Sequence, residues 1–204
     1  MKTPLQVGIT GGIGSGKSLI CRIFRMLAIS VYDADSHAKA LMTTDQILVS
    51  QIKKEFGDLS YHRDGVLNRE WLASHVFSDA DKLQRLNSLV HPRVAVDYAK
   101  WLDGHRQEPY VLKEAALLFE SGSNQSLDKI IVVSAPEKLR RDRVLKRDPH
   151  RTVEQFKEIV EKQLPEEEKM KRADYIIVND DTKLVIPQVL SLHEEFINTD
   201  PLAK

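Results

Sequence analysis

The residues with the clearest chemical meaning lie close to the start of the chain. Residues 11–18 read Gly-Gly-Ile-Gly-Ser-Gly-Lys-Ser and match the pattern G-x-x-x-x-G-K-[ST] in full. Glycines permit left-handed backbone conformations and leave their N–H groups uncovered, so a loop of this kind can wrap a phosphate group. The segment predicts a phosphate-binding loop; the alternative is a glycine-rich turn that matches the pattern by chance.

Two side chains at the end of this loop have specific expected roles. In loops of this type the lysine, here Lys17, reaches the β- and γ-phosphates, and the Ser18 hydroxyl can bind Mg²⁺. A strand is expected before the loop and a helix after it, so the positive end of that helix would point at the same anion. The expected nucleotide contacts are Gly12, Ile13, Gly14, Ser15, Gly16, Lys17, Ser18 and Leu19.

Missing motifs narrow the class of nucleotide-binding protein. A GTPase needs an N-K-x-D segment and a D-x-x-G switch, and neither occurs in the chain. A transport or motor ATPase needs an apolar strand that ends in Asp-Glu, and residues 111–114 and 176–179 do not complete one. The small size and the helical stretch after the second strand favour a kinase of a small molecule. A nucleoside monophosphate kinase and a non-catalytic nucleotide-binding switch are the alternatives.

Two aspartates, Asp33 and Asp35, follow the second predicted strand at residues 29–32. In a parallel sheet the functional loops gather at the carboxyl ends of the strands, which would place Asp33 on the same edge as the phosphate loop. A carboxylate there can accept the proton of an attacking hydroxyl, which contributes about 10²–10⁴ in rate. We therefore expect Asp33 to act in catalysis and Asp35 to cap the next helix; capping is also the alternative role for Asp33.

The overall composition excludes several other classes. The 204 residues hold 30 Lys and Arg against 30 Asp and Glu, and this zero net charge argues against a nucleic-acid or anionic membrane partner. The single cysteine, Cys21, forms no disulfide within the chain and favours a reducing compartment. No run approaches the ~18 apolar residues of a membrane span. We expect a cytoplasmic protein, and the composition does not define an oligomeric state.

The order of the predicted elements indicates how these residues are positioned. Short apolar runs typical of buried parallel strands occur at residues 5–10, 29–32, 110–112, 130–133 and 175–178. Strands that alternate with helices predict an α/β core with right-handed crossovers. Residues 34–100 are too long for a crossover alone and are interpreted as a helical insertion, in which Pro92 suits the first turn of a new helix.

Two strongly charged helices are predicted between the last strands. Residues 137–151 hold seven Lys or Arg against three acids, and residues 154–168 hold six acids against two Lys. Arg140, Arg143 and Arg147 share one face of the basic helix. An arginine on a closing lid can neutralise the charge that develops on a transferred phosphoryl group. The alternative is a solvated basic helix that pairs with its acidic neighbour.

In this order, the motifs of the chain resemble those of the dephospho-coenzyme A kinase family over nearly its whole length. Besides the phosphate loop and Asp33-Ala34-Asp35, the motifs that carry the resemblance are Asp64-Gly65-Val66-Leu67-Asn68-Arg69, Leu86-Asn87, His91-Pro92-Arg93-Val94, Leu117-Leu118-Phe119-Glu120, Ala173-Asp174 and Asn179. The resemblance implies an α/β, P-loop nucleoside-monophosphate-kinase-like three-layer fold with a parallel sheet, a helical substrate-binding insertion and a helical lid. The implied nucleotide-binding core is 1–33 with 101–137 and 168–204, the acceptor-binding insertion is 34–100, and the lid is 138–167.

The implied activity is phosphorylation of the ribose 3′-hydroxyl of dephospho-coenzyme A by ATP with Mg²⁺. The residues expected to act in catalysis are Asp33, Lys17 and Arg140. Those expected at ATP besides the loop are Arg147 and Asn179, although Asn179 could instead cap the turn at 180–181. Those expected at the acceptor are Asp33, His91, Glu114 and Glu120; a helix-start or core role is the alternative for His91. Arg143 is interpreted as a surface residue.

The chain departs from the family pattern at two places. Leu19 stands where the family usually has Thr, so a second hydroxyl near the phosphates is missing. The family's Asp-x-Pro is replaced by Glu114-Ala115-Ala116. Glu114 keeps the carboxylate on a longer side chain, and the lost proline concerns the backbone more than the chemistry.

Overall fold

The computed structural model describes residues 3–76 and 79–199, and within them a single five-stranded sheet forms. Its strands are β1 (Leu5–Thr10), β2 (Val31–Asp33), β3 (Tyr110–Glu114), β4 (Lys129–Ser134) and β5 (Tyr175–Val178). All neighbouring pairs run parallel, in the order β2-β3-β1-β4-β5. This confirms the predicted α/β class with a parallel sheet and places β1 in the centre.

The helices of the described residues follow the predicted alternation with strands. They are α1 (Lys17–Met26), α2 (Ala34–Thr44), α3 (Gln46–Phe56), α4 (Arg69–Val76), α5 (Ala80–Asp103), α6 (Glu137–Arg147), α7 (Val153–Glu161), α8 (Glu166–Lys171) and α9 (Val185–Asn198). No helix in the described part of the chain is long and apolar enough to cross a membrane.

The main core lies on one face of the sheet, beneath α1 and α9. Side chains of a strand alternate between faces, and Val7 and Ile9 of β1 share this face with Leu112 of β3. Ile20 and Phe24 of α1 complete the layer and are fully buried. This packing fixes the first turn of α1 over the carboxyl ends of the central strands.

The chain divides into two compact units, residues 1–33 with 105–204 and residues 34–104. The first unit contains the sheet. The second contains α2–α5, with a small core of its own that includes Leu48 and Ile52 of α3. Local residues define both ends of α3. The Asp45 side chain caps its start by accepting Ile47 N–H and Leu48 N–H, both at 3.0 Å, and Gly57 ends the helix at φ 94°.

Two proline positions differ from the sequence-based prediction. Pro92 lies inside the continuous 24-residue helix α5 instead of starting a new helix. A proline inside a helix removes one hydrogen bond, and apolar burial of Leu86, Val90 and Val94 on one side outweighs this cost. Conversely, the predicted acidic helix 154–168 is two helices, because Pro165 cannot continue α7 and instead precedes the first turn of α8.

The predicted basic helix is also shorter than residues 137–151. It ends at Arg147 because Asp148 precedes Pro149, and a residue before proline is disfavoured in the helical region. The next helix, α7, begins with a capping box in which Gln155 N–H donates to the Thr152 side chain and Thr152 N–H donates to Gln155.

Candidate active site

The phosphate loop joins the central strand β1 to α1. Gly14 and Gly16 adopt φ values of 80° and 95°, which side chains with a Cβ disfavour. Gly16 directly precedes α1, and the N–H groups of Leu19 and Ile20 donate back to its carbonyl. The loop therefore lies at the positive end of a helix, and its glycines adopt the left-handed conformations that the sequence pattern predicts.

Lys17 and Ser18 are held in place by partners within the same unit. The Lys17 ammonium group donates to the Gly11 carbonyl at 3.0 Å, across the mouth of the loop. The Ser18 hydroxyl donates to Glu114 Oε1 at 3.1 Å. One turn further along α1, burial and then the neighbouring Glu114 carboxylate raise the pKa of the Cys21 thiol well above its usual value. Glu114 thus lies directly under the first turn of α1.

Asp33 is the last residue of β2 and lies in register with Glu114, the last residue of β3. Partners in a parallel register point to the same face of the sheet, and neighbouring strands are about 4.8 Å apart. Glu114 is in turn in register with Ile9 of β1, one residue before the end of that strand. Asp33, Glu114 and the phosphate loop therefore share one edge of the sheet.

The oxygen atoms at this edge fit a hard divalent cation. Mg²⁺ binds one or two protein oxygens together with substrate phosphates and water, and it does not need a complete protein cage. The described residues contain no cluster of three or more His, Cys, Asp or Glu side chains that could hold a metal alone. The Ser18 hydroxyl and the buried Glu114 carboxylate, 3.1 Å apart, are oxygen donors of the kind that Mg²⁺ takes in proteins.

Arg140 on α6 lies beneath the phosphate loop. Its guanidinium donates to the carbonyls of Ala135 at 3.0 Å and Ile13 at 3.4 Å and forms an ion pair with Glu166 at 3.2 Å. The residue is only 4% exposed. A Cβ on Gly12 would lie 2.3 Å from this guanidinium, so only glycine permits the contact. In this arrangement Arg140 supports the loop from below.

Asn179 connects the loop to the end of β5. Its side-chain N–H donates to the Ser15 carbonyl at 2.8 Å, and a Cβ on Gly16 would collide with this amide at 2.2 Å. Arg143 donates to the Asn179 carbonyl at 3.0 Å and pairs with Asp181 at 2.6 Å. Sequence reasoning took Arg143 for a surface residue, but its side chain is partly buried and supports Asn179.

Arg147, one turn beyond Arg143, has a different environment. Its side chain is 64% exposed and pairs with Asp148 at 2.8 Å. Hydrogen bonding between the two groups raises the pKa of Arg147 and lowers the pKa of Asp148. Among the arginines of α6, this side chain is available to a ligand in solvent, whereas Arg140 is enclosed.

Three residues of the segment after α7 contact the site and were not singled out from the sequence. Gln163 accepts a hydrogen bond from Ile13 N–H of the phosphate loop at 3.0 Å. Glu120 accepts from Leu164 N–H at 2.7 Å and pairs at 3.1 Å with Lys169, which is 1% exposed. The prediction of one unbroken acidic helix over 154–168 concealed Gln163 and Leu164, and Lys169 lies just beyond that predicted helix. Pro165 was the available signal of a break.

The predicted site residues fall into two groups in the structure. The first unit gathers Lys17, Ser18, Asp33 and Glu114 at one sheet edge, with Asn179 on the other side of the loop. His91 belongs to the second unit, where it is exposed on α5. The roles assigned to individual residues stay predictions.

A central parallel strand, a glycine loop closed by Lys-Ser and a helical insertion after the second strand define a P-loop kinase. Comparison with known proteins identifies the family. A dephospho-CoA kinase family model matches residues 5–184. Dephospho-CoA kinase from Bacteroides fragilis (strain YCH46) is 35% identical over 191 residues, which cover 92% of this chain and 91% of that protein. The chain belongs to the dephospho-CoA kinase family.

Solved structures agree with this assignment. TT1252 from Thermus thermophilus superposes with a TM-score of 0.84 at 31% identity, covering 97% of this chain and 100% of the other. Dephospho-CoA kinase from Campylobacter jejuni superposes with a TM-score of 0.69 at 25% identity, covering 93% and 96%. The predicted fold and family are both confirmed.

Proposed function

We propose that this protein transfers the γ-phosphoryl group of ATP to the ribose 3′-hydroxyl of dephospho-coenzyme A, giving coenzyme A and ADP. Family membership supports the identity of the acceptor. The observation that carries the chemistry is the shared sheet edge of Asp33, Glu114 and the phosphate loop. A carboxylate beside a triphosphate site is the arrangement that transfer to an alcohol needs.

The phosphate loop binds the triphosphate through its backbone N–H groups. Lys17 exchanges its contact with the Gly11 carbonyl for the β- and γ-phosphate oxygens, where its charge offsets the charge of the transferred group. Ser18 and Glu114 would hold Mg²⁺, which when bound neutralises charge on the phosphates. Asn179 keeps the loop in shape by holding the Ser15 carbonyl and binds near the adenine.

Asp33 orients the acceptor hydroxyl and accepts its proton as the phosphoryl group departs from ATP. Glu114 accepts the hydrogen bond of the Ser18 hydroxyl at 3.1 Å, so this carboxylate is already engaged at the phosphate loop. Both carboxylates end a strand, but Glu114 is buried and bonded to Ser18, whereas Asp33 is only partly buried. We therefore assign the metal to Glu114 and the acceptor hydroxyl to Asp33.

The segment 138–167 acts as the lid. Arg147 supplies positive charge to the phosphoryl group from its exposed position, and Arg140 acts through the one loop carbonyl that it holds, that of Ile13. Closure excludes water, which would otherwise compete with the acceptor for the phosphoryl group. His91 of the insertion and Glu120 contribute to acceptor binding. The single cysteine of the chain, Cys21, forms no disulfide, and this supports our placing the protein in a reducing compartment, the cytoplasm.

The proposal is tested by an assay that separates the acceptors. Purified protein is incubated with ATP and Mg²⁺ and either dephospho-coenzyme A or a nucleoside monophosphate, and products are identified by mass spectrometry. We expect phosphorylation of dephospho-coenzyme A alone. Phosphorylation of a nucleoside monophosphate would instead support the alternative kinase, and nucleotide binding without any phosphorylated product would support a switch protein.

A further inference from the structure

The second unit contains an apolar cavity that no residue role described above uses. Its volume is about 230 Å³. Six apolar side chains line it, contributed by α2, α4, α5 and the segment before α4: Met42, Leu67, Leu72, Ala73, Val76 and Leu86. The two remaining lining residues, Lys39 and Arg69, are basic and exposed. The cavity is thus an apolar slot with two cations at its rim.

Leu67 and Arg69 reach this cavity through the sequence motif 64–69. The Asp64 side chain accepts Val66 N–H at 3.0 Å, and Gly65 adopts φ 83°, which together form a tight turn. Asn68 then caps α4 by accepting Trp71 N–H at 3.2 Å. These contacts account for Asp64, Gly65 and Asn68 by folding alone. Arg69 takes part in none of these contacts and lies in the first turn of α4, beside the cavity.

The charges of Lys39 and Arg69 are not neutralised by acidic side chains of the described residues. Across residues 3–76 and 79–199, neither Lys39 nor Arg69 forms an ion pair. The nearby pair of Arg93 and Asp45, at 2.6 Å, shows the contrasting case of a cation fixed by the fold. Two exposed cations beside an apolar slot match a ligand that carries an anionic group next to an apolar branch.

We infer that this cavity binds the pantetheine arm of the acceptor at its dimethyl-substituted carbon, with Lys39 and Arg69 on the adjacent diphosphate. The inference rests on the proposed function. In dephospho-coenzyme A, one methylene and an ester oxygen separate that carbon from the diphosphate. The acceptor therefore carries two methyl groups and two negative charges within a few bonds of each other. The methyl groups match the apolar lining of the cavity, and the negative charges match Lys39 and Arg69 at its rim.

Filling the slot tests the apolar contact. Ala73→Leu adds bulk inside the cavity on a helix that tolerates leucine well. The KM for dephospho-coenzyme A should rise about tenfold, the loss expected when two methyl groups are left in water, while kcat and the KM for ATP stay unchanged. Ser74→Leu, at an exposed position of the same helix that does not line the cavity, is the matched control.

Removing the rim charges tests the diphosphate contact. Lys39→Gln with Arg69→Gln should raise the same KM about tenfold and flatten its increase with salt, because the screened attraction is gone. Arg63→Gln, an exposed arginine outside the cavity, should change neither value. A structural role for Arg69 would lower the melting temperature without altering the salt dependence, and that result would overturn the inference.

A measurement on the unmodified protein avoids any effect of the variants on folding. Phosphopantetheine, which has the dimethyl carbon and a phosphate but no adenosine, should inhibit competitively against dephospho-coenzyme A and not against ATP. Absence of such inhibition, or an unchanged acceptor KM in folded Ala73→Leu, would overturn the inference. If the unmodified protein does not phosphorylate dephospho-coenzyme A at all, it is the proposed function that fails.

Discussion

Asp33 and Glu114 end neighbouring parallel strands in register, and Glu114 accepts the Ser18 hydroxyl at 3.1 Å. Glu114 thus connects the residues proposed for the phosphoryl donor and for the acceptor. Ser18 belongs to the phosphate loop, and Asp33 lies on β2, the strand next to β3 at the edge of the sheet. It also explains how residues 81 positions apart in the chain meet: the parallel sheet brings the carboxyl ends of β2 and β3 together.

Replacement of the loop lysine tests the phosphate site. Lys17→Ala removes the ammonium group that bonds to the Gly11 carbonyl, and we expect ATP binding and turnover both to be lost. Titration with ATP, followed calorimetrically, measures the first effect. Lys138→Ala, an exposed lysine on α6, is the control. Tight ATP binding by Lys17→Ala would show that the loop does not hold the triphosphate.

The metal requirement tests Glu114. Glu114→Gln keeps the size of the side chain but removes its charge, and the Mg²⁺ concentration for half-maximal activity should rise about 10–100-fold. Glu114→Asp should retain most activity, because the family pattern has an aspartate at this position. Activity is measured against free Mg²⁺ at fixed ATP, with Glu194→Gln, at an exposed position of α9, as control. An unchanged Mg²⁺ requirement in Glu114→Gln would remove Glu114 from the metal site.

The contact between Gln163 and the loop predicts an effect on nucleotide affinity. Gln163→Glu still accepts Ile13 N–H but places a negative charge beside the bound phosphates. At a separation of several ångströms this repulsion is worth about 1.4 kcal/mol, so the KM for ATP should rise about tenfold. Glu158→Gln, at an exposed position of α7 outside the cavity that Gly12 and Gln163 line, is the control. An unchanged KM for ATP would mean that Gln163 leaves the loop when ATP binds.

We predict that the stability of the second unit depends on pH through the ionisation of Asp45. Burial alone would raise the pKa of this carboxyl, but hydrogen bonds from Leu48 N–H and from Arg93 outweigh it, and the pKa is lowered. The resulting stabilisation is complete above the usual aspartate pKa, about 3.9, and is lost as the pH falls through the lowered value.

The variant Asp45→Asn keeps the helix cap and removes only the charge. At pH 7 its free energy of unfolding should be lower by about 1–2 kcal/mol, since a charge-assisted hydrogen bond is lost. Urea unfolding between pH 3 and 7 measures how this difference shrinks below pH 4. A difference that is independent of pH would exclude the Asp45 carboxylate as its source.

Sequence reasoning predicted where the phosphate loop and Asp33 lie in the fold, because local patterns determine their geometry. Residues 11–18 define their own backbone shape through Gly14 and Gly16, and Asp33 needed only the rule that parallel strands end at one edge. It missed Gln163 and the support that Arg143 gives Asn179, because both contacts join segments far apart in the chain. Neither side chain belongs to a spacing pattern that distinguishes it from a solvated residue.

The errors in the fold arose at prolines and have a common physical origin. A proline is compatible with a helix start, a helix end or a kink, and tertiary burial decides among them. In α5 the apolar residues on both sides of Pro92 are buried along one helix face, so the helix continues. Around Pro165 no continuous row of buried apolar residues supports a single helix. The helix breaks there, and Gln163 contacts the phosphate loop.

The proton-accepting role of Asp33 is the central claim, and Asp33→Asn tests it most directly. The variant keeps the shape of the side chain but cannot accept the proton of the acceptor hydroxyl. Affinity for ATP should remain within about twofold, and kcat with dephospho-coenzyme A should fall by about two to four decades. Asp142→Asn, on the exposed side of α6, should retain full activity.

The decisive measurement is single-turnover transfer of labelled phosphate from bound ATP to dephospho-coenzyme A in Asp33→Asn. This experiment reports the chemical step without product release. A rate reduced by two to four decades at unchanged ATP affinity is the predicted result. A rate equal to that of the unmodified protein would contradict the account.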